Sequence, residues 1–377
     1  MKISLKDLIA KAPNSSSGIF SFDKDPALII SGIDGKGVSQ YSDLEEVSLS
    51  EKEKDFVKNK WEKIQKENPK YYDGNIISIV DVLYDEEKNQ LDFIMKKAKY
   101  STKLALLDPD YPNKERAQEF LSFGIGVMGN LMVGSENQFL MVERSQKVHS
   151  EKGAISVPGG EIECNEKTQK DDVRSGFKEA VKGELVEEVL SEAHKQSKFN
   201  TKLISIAYEK RDKTQVGLDA FFEILPQNQT HQITRESLAE THKISLDKFE
   251  SSGNFFFVNP GENIDSKSED SPAHIINSGK LQHSGTSALT SQIYAQMKES
   301  YAEGKFIGLP PHPDGIANKF TNLSTSFSIF DMAFLCKSTI EKPLKTQDEA
   351  PKTAVNIEKN IAQNQSLKTS RFARIDL

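Results

Sequence analysis

From position 171 to about 195 the chain places apolar side chains at every fourth residue: Phe177, Val181, Leu185 and Val189. At 3.6 residues per turn these fall on one stripe, which predicts an amphipathic helix with a single buried face. Strand-like runs bracket it. Phe123–Val133 and Gln138–Glu143 precede it, joined by GSEN, a good turn composition. Lys202–Tyr208, Val216–Leu225 and Asn254–Val258 follow as strands, and a helix at about Ser287–Glu303 closes the ordered part. Strands before and after a central helix restrict the chain to an α+β or α/β sandwich.

Upstream, residues 1 to about 50 mix Gly, Ser and Asp with short apolar patches. A polar helical stretch over roughly Ser50–Glu67 holds the only tryptophan, Trp61. Ile76–Tyr84 and Gln90–Ala98, joined by DEEKN, predict a hairpin. At 377 residues there is room for one large domain or two ordinary ones. The expected division is an N-terminal α+β extension domain over 1–115, the main domain over 116–310, a C-terminal extension over 311–340 and a disordered tail over 341–377. The tail is rich in Lys, Thr, Gln, Asn and Glu with few large apolar residues, too few to offset its ordering entropy. Residues 262–285, rich in Ser, Asp, His and Gly, read as a long loop.

Composition removes several function classes. Lys and Arg total 49 against 56 Asp and Glu, a net charge of −7, which argues against binding along a nucleic-acid backbone. It leaves nucleotide substrates open, because bound metal supplies positive charge. Two distant cysteines, Cys164 and Cys336, form neither a disulfide framework nor a zinc pattern and fit a reducing compartment. No apolar run approaches the roughly 18 residues that span a bilayer. The opening MKISLKDLIAKAP lacks a signal-peptide core, so a cytoplasmic protein with no membrane association is expected. The seven histidines show no HExxH spacing, and neither GxSxG nor GxxxxGK[ST] occurs.

The chemical signal lies in PGGEIECNEKTQKDDVRSGFKEAVKGELVEEVL, Pro158 to Leu190. Glu184, Glu187 and Glu188 stand at i, i+3 and i+4 and share a helical face, so their carboxylates can converge. Three like charges repel unless compensated, and a hard divalent cation with oxygen ligands, Mg²⁺ or Mn²⁺, compensates them. A bare ExxEE is more often a solvated acidic face; the PGG turn before it shifts that balance. Consecutive glycines are expected to let the backbone turn sharply and bring a carbonyl close to a metal.

This segment resembles the Nudix box, in which GG and two loop glutamates precede RExxEE on a helix. Gly159, Gly160, Glu163 and Glu166 match the loop, and Glu184, Glu187 and Glu188 match the helix acids. The resemblance implies an α/β/α sandwich around a mixed sheet. Three departures stand out: about nine extra residues between Glu166 and Glu184, Asn165 in place of a loop glycine, and Gly183 where the box has arginine. Glycine within a helix costs about 1 kcal/mol relative to alanine.

A longer resemblance, from roughly Trp61 to Met297, is to the animal UDP-glucose and UDP-galactose pyrophosphatases of that superfamily. WEKIQKENPKYYDGNIISI, KAKYSTKL, GIGVMGNLMV, ERSQKVHSEKGAISVPGG, ISIAYEK and GNFFFVNP carry it, in that order. It implies hydrolysis of UDP-glucose or UDP-galactose, a small-molecule nucleotide-sugar substrate, to UMP and a sugar 1-phosphate. The expected metal ligands are Glu184, Glu187, Glu188 and the carbonyl of Gly159, with one of the glutamates doubling as base; Glu163 and Glu166 support the helix from behind. Arg144, at a strand end before the box, is a candidate phosphate contact, with a plain surface arginine as the alternative. Tyr72 and Tyr100 are candidate stacking residues for the nucleotide, with core packing as the alternative. Asp219 is a weaker candidate acid. Another substrate such as ADP-ribose, or a catalytically weak nucleotide-binding module, remain competing readings.

Overall fold

The computed structural model describes residues 2–11, 17–22, 24–67, 69, 72–133, 138–146, 152–162, 173–190, 198–210, 216–227, 233–244, 250–259, 268–281, 285, 287–289, 291–292 and 320–321. Two sheets enclose the central helix. The smaller contains β1 (Lys2–Ser4), β3 (Ala27–Ser31), β4 (Asn75–Asp85) and β5 (Gln90–Lys99) in the order β1-β4-β5-β3. The β4–β5 hairpin closes with Asp85 opposite Gln90, and Asn89 turns the chain with φ 45°. Asparagine is among the few side chains that tolerate this conformation.

The larger sheet runs β12 (Ser251–Val258), β7 (Gln138–Arg144), β6 (Gly126–Val133), β11 (Val216–Pro226), β10 (Phe199–Lys210), β2 (Ser17–Ser21), β13 (Phe320–Thr321). Short strands β8 (Ile155–Ser156) and β9 (Gly159–Glu161) pair with β7 and β6. The sheet is mixed: β6 and β11 are parallel, while β10–β11 and β7–β12 are antiparallel. Strand β2 crosses from the first part of the chain to pair with β10, so the N-terminal region contributes to both sheets.

The expected helix is α4, Val173–Glu188. Phe177, Val181, Leu185 and Val189 are each fully buried, as the fourfold spacing requires. Val181 and Leu185 pack against Gly129 of β6, and Phe177 stacks 4.8 Å from Phe93 of β5, so both sheets share one core around this helix. The opposite face of the large sheet buries Met128, Phe139, Met141 and Phe221 under Ile275 of α6 (Pro272–Asn277) and under helical residues Ala288 and Leu289. Helix, mixed sheet and helix make an α/β/α arrangement.

After the short helix α1, Leu5–Lys11, the polar stretch near residue 50 is α2, Glu51–Glu67. Ser50 Oγ accepts from the Glu53 amide at 3.4 Å, while Glu53 Oε2 accepts from the Ser50 amide at 2.8 Å, a reciprocal cap at the first turn. The loop expected over 262–285 is corrected: it contains α6, started by Ser271 accepting from the His274 amide with Pro272 at the first helical position. Helix α5, Arg235–His242, likewise starts on a capping box at Thr234 and Ser237. The expected tail over 341–377 lies outside the described residues.

Candidate active site

The glycine pair sits where α4 meets the large sheet. Gly159 and Gly160 form β9, opposite Met128 and Val127 of β6. Neither has a positive φ, so their role is close approach and not an unusual turn. A Cβ on Gly159 would lie 2.3 Å from the Val127 carbonyl oxygen, and one on Gly160 would lie 2.4 Å from Glu184 Oε1. Bare backbone thus lets the Glu184 carboxylate press against the strand.

One turn further on, Glu188 Oε2 accepts from the Gly159 amide at 3.3 Å. Glu188 is only 7% exposed, whereas Glu187, one residue earlier, faces outward. Burial, then the charges of Glu184 and Glu250, hold the Glu188 carboxyl well above the usual carboxylate range; Arg144 and the Gly159 amide pull the other way. Glu250 is a carboxylate that sequence reasoning missed. It precedes β12, and its carbonyl accepts from the Ser145 amide at 2.8 Å, which brings it beside the end of β7 only once the strands pair. No local spacing signals that.

Arg144 ends β7. Its amide donates to the Ala154 carbonyl at 2.8 Å, and its carbonyl accepts from Gly153 at 3.2 Å. Strand alternation puts it on the side of Leu140 and Val142, which pack in the core around α4. Its Nε is buried with no hydrogen-bond partner. Glu143, on the other side of the strand, is anchored by Asn254 Nδ2 and Lys280 Nζ, both at 2.8 Å. Burial alone would raise its carboxyl; Lys280 and Asn254 outweigh that and hold it low. Glu143 therefore ties β7 to β12 next to Arg144.

The other expected residues are more scattered. Tyr72 is 83% exposed, touching Gly74. Tyr100 begins α3 (Tyr100–Leu106), edge-on to Trp61 at 6.3 Å and 5.9 Å from Lys103 Nζ. Asp219 faces away from α4, opposite Gly126 in the parallel register. Glu163 and Glu166 lie outside the described residues. Gly183 has open space around its Cβ position, so nothing nearby demands a glycine there.

Glu184, Glu188 and Glu250 offer only oxygen donors, and a buried carboxylate crowded by two others fits a hard divalent cation. Among the described residues no three His, Cys, Asp or Glu side chains are already gathered as a metal-ligating cluster, and no described helix is long and apolar enough to cross a membrane.

No family model and no curated protein sequence matches the chain. Among solved structures it is similar to a bifunctional NMN adenylyltransferase/ADP ribose pyrophosphatase from Francisella tularensis, at 17% identity over 50% of this chain and 42% of that one, TM-score 0.28. The same protein complexed with AMP and a Mn ion gives 52%, 44% and 0.28. An E. coli dihydroneopterin triphosphate pyrophosphohydrolase matches at 10% identity over 45% of this chain and 94% of that one, TM-score 0.24. A Bacillus subtilis pyrophosphohydrolase matches at 13% identity over 38% and 78%, TM-score 0.19. The chain spans less than half the length of the Francisella protein.

Proposed function

We propose that this chain is a Nudix-type pyrophosphohydrolase that uses a divalent cation to cleave the diphosphate of a nucleoside diphosphate-linked compound. We further propose that the compound is UDP-glucose or UDP-galactose, hydrolysed to UMP and a sugar 1-phosphate. The observation that carries the chemistry is Glu188: a buried carboxyl beneath the Gly159 amide, crowded by Glu184 and Glu250. A fold gains no stability from such an arrangement, which points to a ligand of positive charge. The UDP-sugar preference rests on the sequence resemblance.

In this reading Glu184, Glu188 and the Gly159 carbonyl would hold Mg²⁺ or Mn²⁺, with the exposed Glu187 as the ligand that has to turn toward it. When bound, the cation would supply charge neutralisation at the phosphoryl oxygens and a lowered pKa for water. The chain's own residues do the rest. A glutamate accepts the proton of the attacking water as its oxygen bonds to one phosphorus. The bridging P–O bond breaks, and its oxygen leaves with the other phosphate. Arg144 offers its guanidinium to the phosphate charge, and Glu143 keeps that strand end in place.

A panel of UDP-, ADP- and GDP-linked compounds, assayed with and without Mg²⁺, tests the proposal. UMP from UDP-glucose is the expected product. Release of AMP from ADP-ribose instead would keep the diphosphate chemistry and discard the UDP-sugar assignment. No cleavage at all, with nucleotide still bound, would overturn the hydrolase reading in favour of a binding module.

A further inference from the structure

β12 is the end strand of the large sheet, and among the described residues only β7 pairs with it. Its sequence, SSGNFFFV, holds no charge and three consecutive phenylalanines. An end strand of that composition offers its outer backbone groups to any other extended chain. The first half is already blunted. Its register with β7 shifts between Ser251 and Phe255, and Gly253 has φ +85°. The Gly253 and Asn254 amides donate to the Ser251 and Ser252 hydroxyls at 3.1 and 3.2 Å. Regular pairing with β7 covers Phe255–Val258, so that is the length of edge another strand could use.

There the edge is closed by two side chains. Arg235 Nη1 donates to the Phe255 carbonyl at 2.5 Å, and Asp270 Oδ1 accepts from the Phe257 amide at 2.8 Å. Arg235 Nη2 also donates to Asp270 Oδ2, which links the two. One residue of a parallel strand would make the same two backbone contacts, so the ion pair stands in for a neighbouring strand. The Arg235 guanidinium also lies 5.0 Å from the Phe257 ring centre. The two side chains arrive from opposite faces of the sheet. Arg235 opens α5, whose Leu238 is buried in the core around α4. Asp270 immediately precedes the Ser271 cap of α6, whose Ile275 is buried against the other face. Each layer supplies half of the closure.

We propose that the Arg235–Asp270 pair is an autoinhibitory contact that keeps the β12 edge from pairing with the β12 of a second copy of this chain. Alternate residues of a strand direct both backbone groups to one side, so Phe255 and Phe257 share the outer edge. Two such edges running antiparallel match about a two-fold axis at Phe256, with Phe255 of each opposite Phe257 of the other. The edge is thus self-complementary, and the match needs the carbonyl and amide that the ion pair occupies. Exposed ion pairs add little stability by themselves, and Arg235 keeps 44% of its side chain exposed. Its place over the strand backbone is what sets this pair apart. The inference is independent of the diphosphate site.

Sedimentation of the full chain over a range of concentrations tests it. Arg235→Ala together with Asp270→Ala should raise the apparent self-association constant at least about tenfold over wild type, because each copy regains two edge hydrogen bonds. A folded double variant that associates no more than wild type would reduce the pair to a structural tie and overturn the proposal. Should the double variant fail to fold, Asp270→Ser frees only the Phe257 amide and should give a smaller shift in the same direction. No shift there is equally contrary.

A labelled SSGNFFFV peptide locates the contact. It should bind the double variant, suppress its association, and bind wild type at least about tenfold more weakly. Equal binding to both proteins, or association that the peptide leaves untouched, would place the contact elsewhere and overturn the assignment.

Discussion

Two glutamates on two long helices are almost equally hidden, Glu53 at 6% and Glu188 at 7% exposure, yet their surroundings are opposite. Glu53 accepts from the Ser50 amide and hydroxyl, both at 2.8 Å, and from Tyr111 Oη at 3.1 Å. Burial works against its charge, but those donors and Arg116 outweigh it and hold the carboxyl below its ordinary value. Glu188 has one amide at 3.3 Å and the charge of Arg144 in its favour, and burial with two other carboxylates outweighs them and keeps its carboxyl raised. The first carboxylate is satisfied by the chain and secures a helix start. The second is held less well by the chain, and that difference is why we propose α4 and not α2 as the helix that binds a cation.

The sharpest way to break that contrast is to neutralise each in turn. Glu188→Gln should lower turnover by at least about a hundredfold, roughly 2.7 kcal/mol of transition-state stabilisation, without loss of metal-free stability, because a neutral amide relieves crowding. Glu53→Gln should leave turnover per folded molecule intact. A folded Glu188→Gln protein with normal turnover would remove the contrast.

Divalent cation should separate them next. At a hundredfold excess over its dissociation constant, Mg²⁺ or Mn²⁺ should stabilise the wild type by about 2.7 kcal/mol. A thermal melt of Glu188→Gln should show most of that gain missing, while Glu53→Gln keeps it. Equal stabilisation of both variants would place the cation elsewhere.

Glu53→Gln itself should cost about 2 kcal/mol, the range for hydrogen bonds to a charged group. The folded carboxyl is lowered from 4.5, so wild type's advantage is fully present above that pH and is lost as pH falls through the folded value. Denaturant melts across that range check it; a gap that widens toward acid would contradict the assigned hydrogen bonds. The smallest effect belongs to Gly183. With nothing within 4 Å of its Cβ position, Gly183→Ala should stabilise the helix by about 1 kcal/mol and spare turnover. A loss of turnover there would mean that the box departure is functional.

The apolar stripe of α4 and the strands around it were legible because their periodicity is local: Phe177, Val181, Leu185 and Val189 need only the helical repeat to be placed. The helical spacing of Glu184, Glu187 and Glu188 could be read for the same reason, but the structure buries Glu188 and leaves Glu187 exposed. Which of the three is buried could not be read, because that depends on how the helix meets Gly159. Glu250 was invisible because it comes beside Glu188 only when distant segments dock. Helices α5 and α6 did carry cap signals, at Thr234 and Ser271–Pro272, but too few turns for periodicity to stand out from a polar background. Of the two reasons expected for the glycine pair, a sharp turn and a close approach of the backbone, the structure shows the close approach, and neither glycine has a positive φ.

The most direct test is Mg²⁺-dependent turnover of a nucleoside diphosphate-linked substrate by wild type, Glu188→Gln and Glu53→Gln, each normalised to folded protein. Turnover that rises with Mg²⁺ in wild type and Glu53→Gln and stays at background in Glu188→Gln is the predicted result. A Mg²⁺-dependent rate in Glu188→Gln equal to wild type would contradict the assignment of α4 as the catalytic helix.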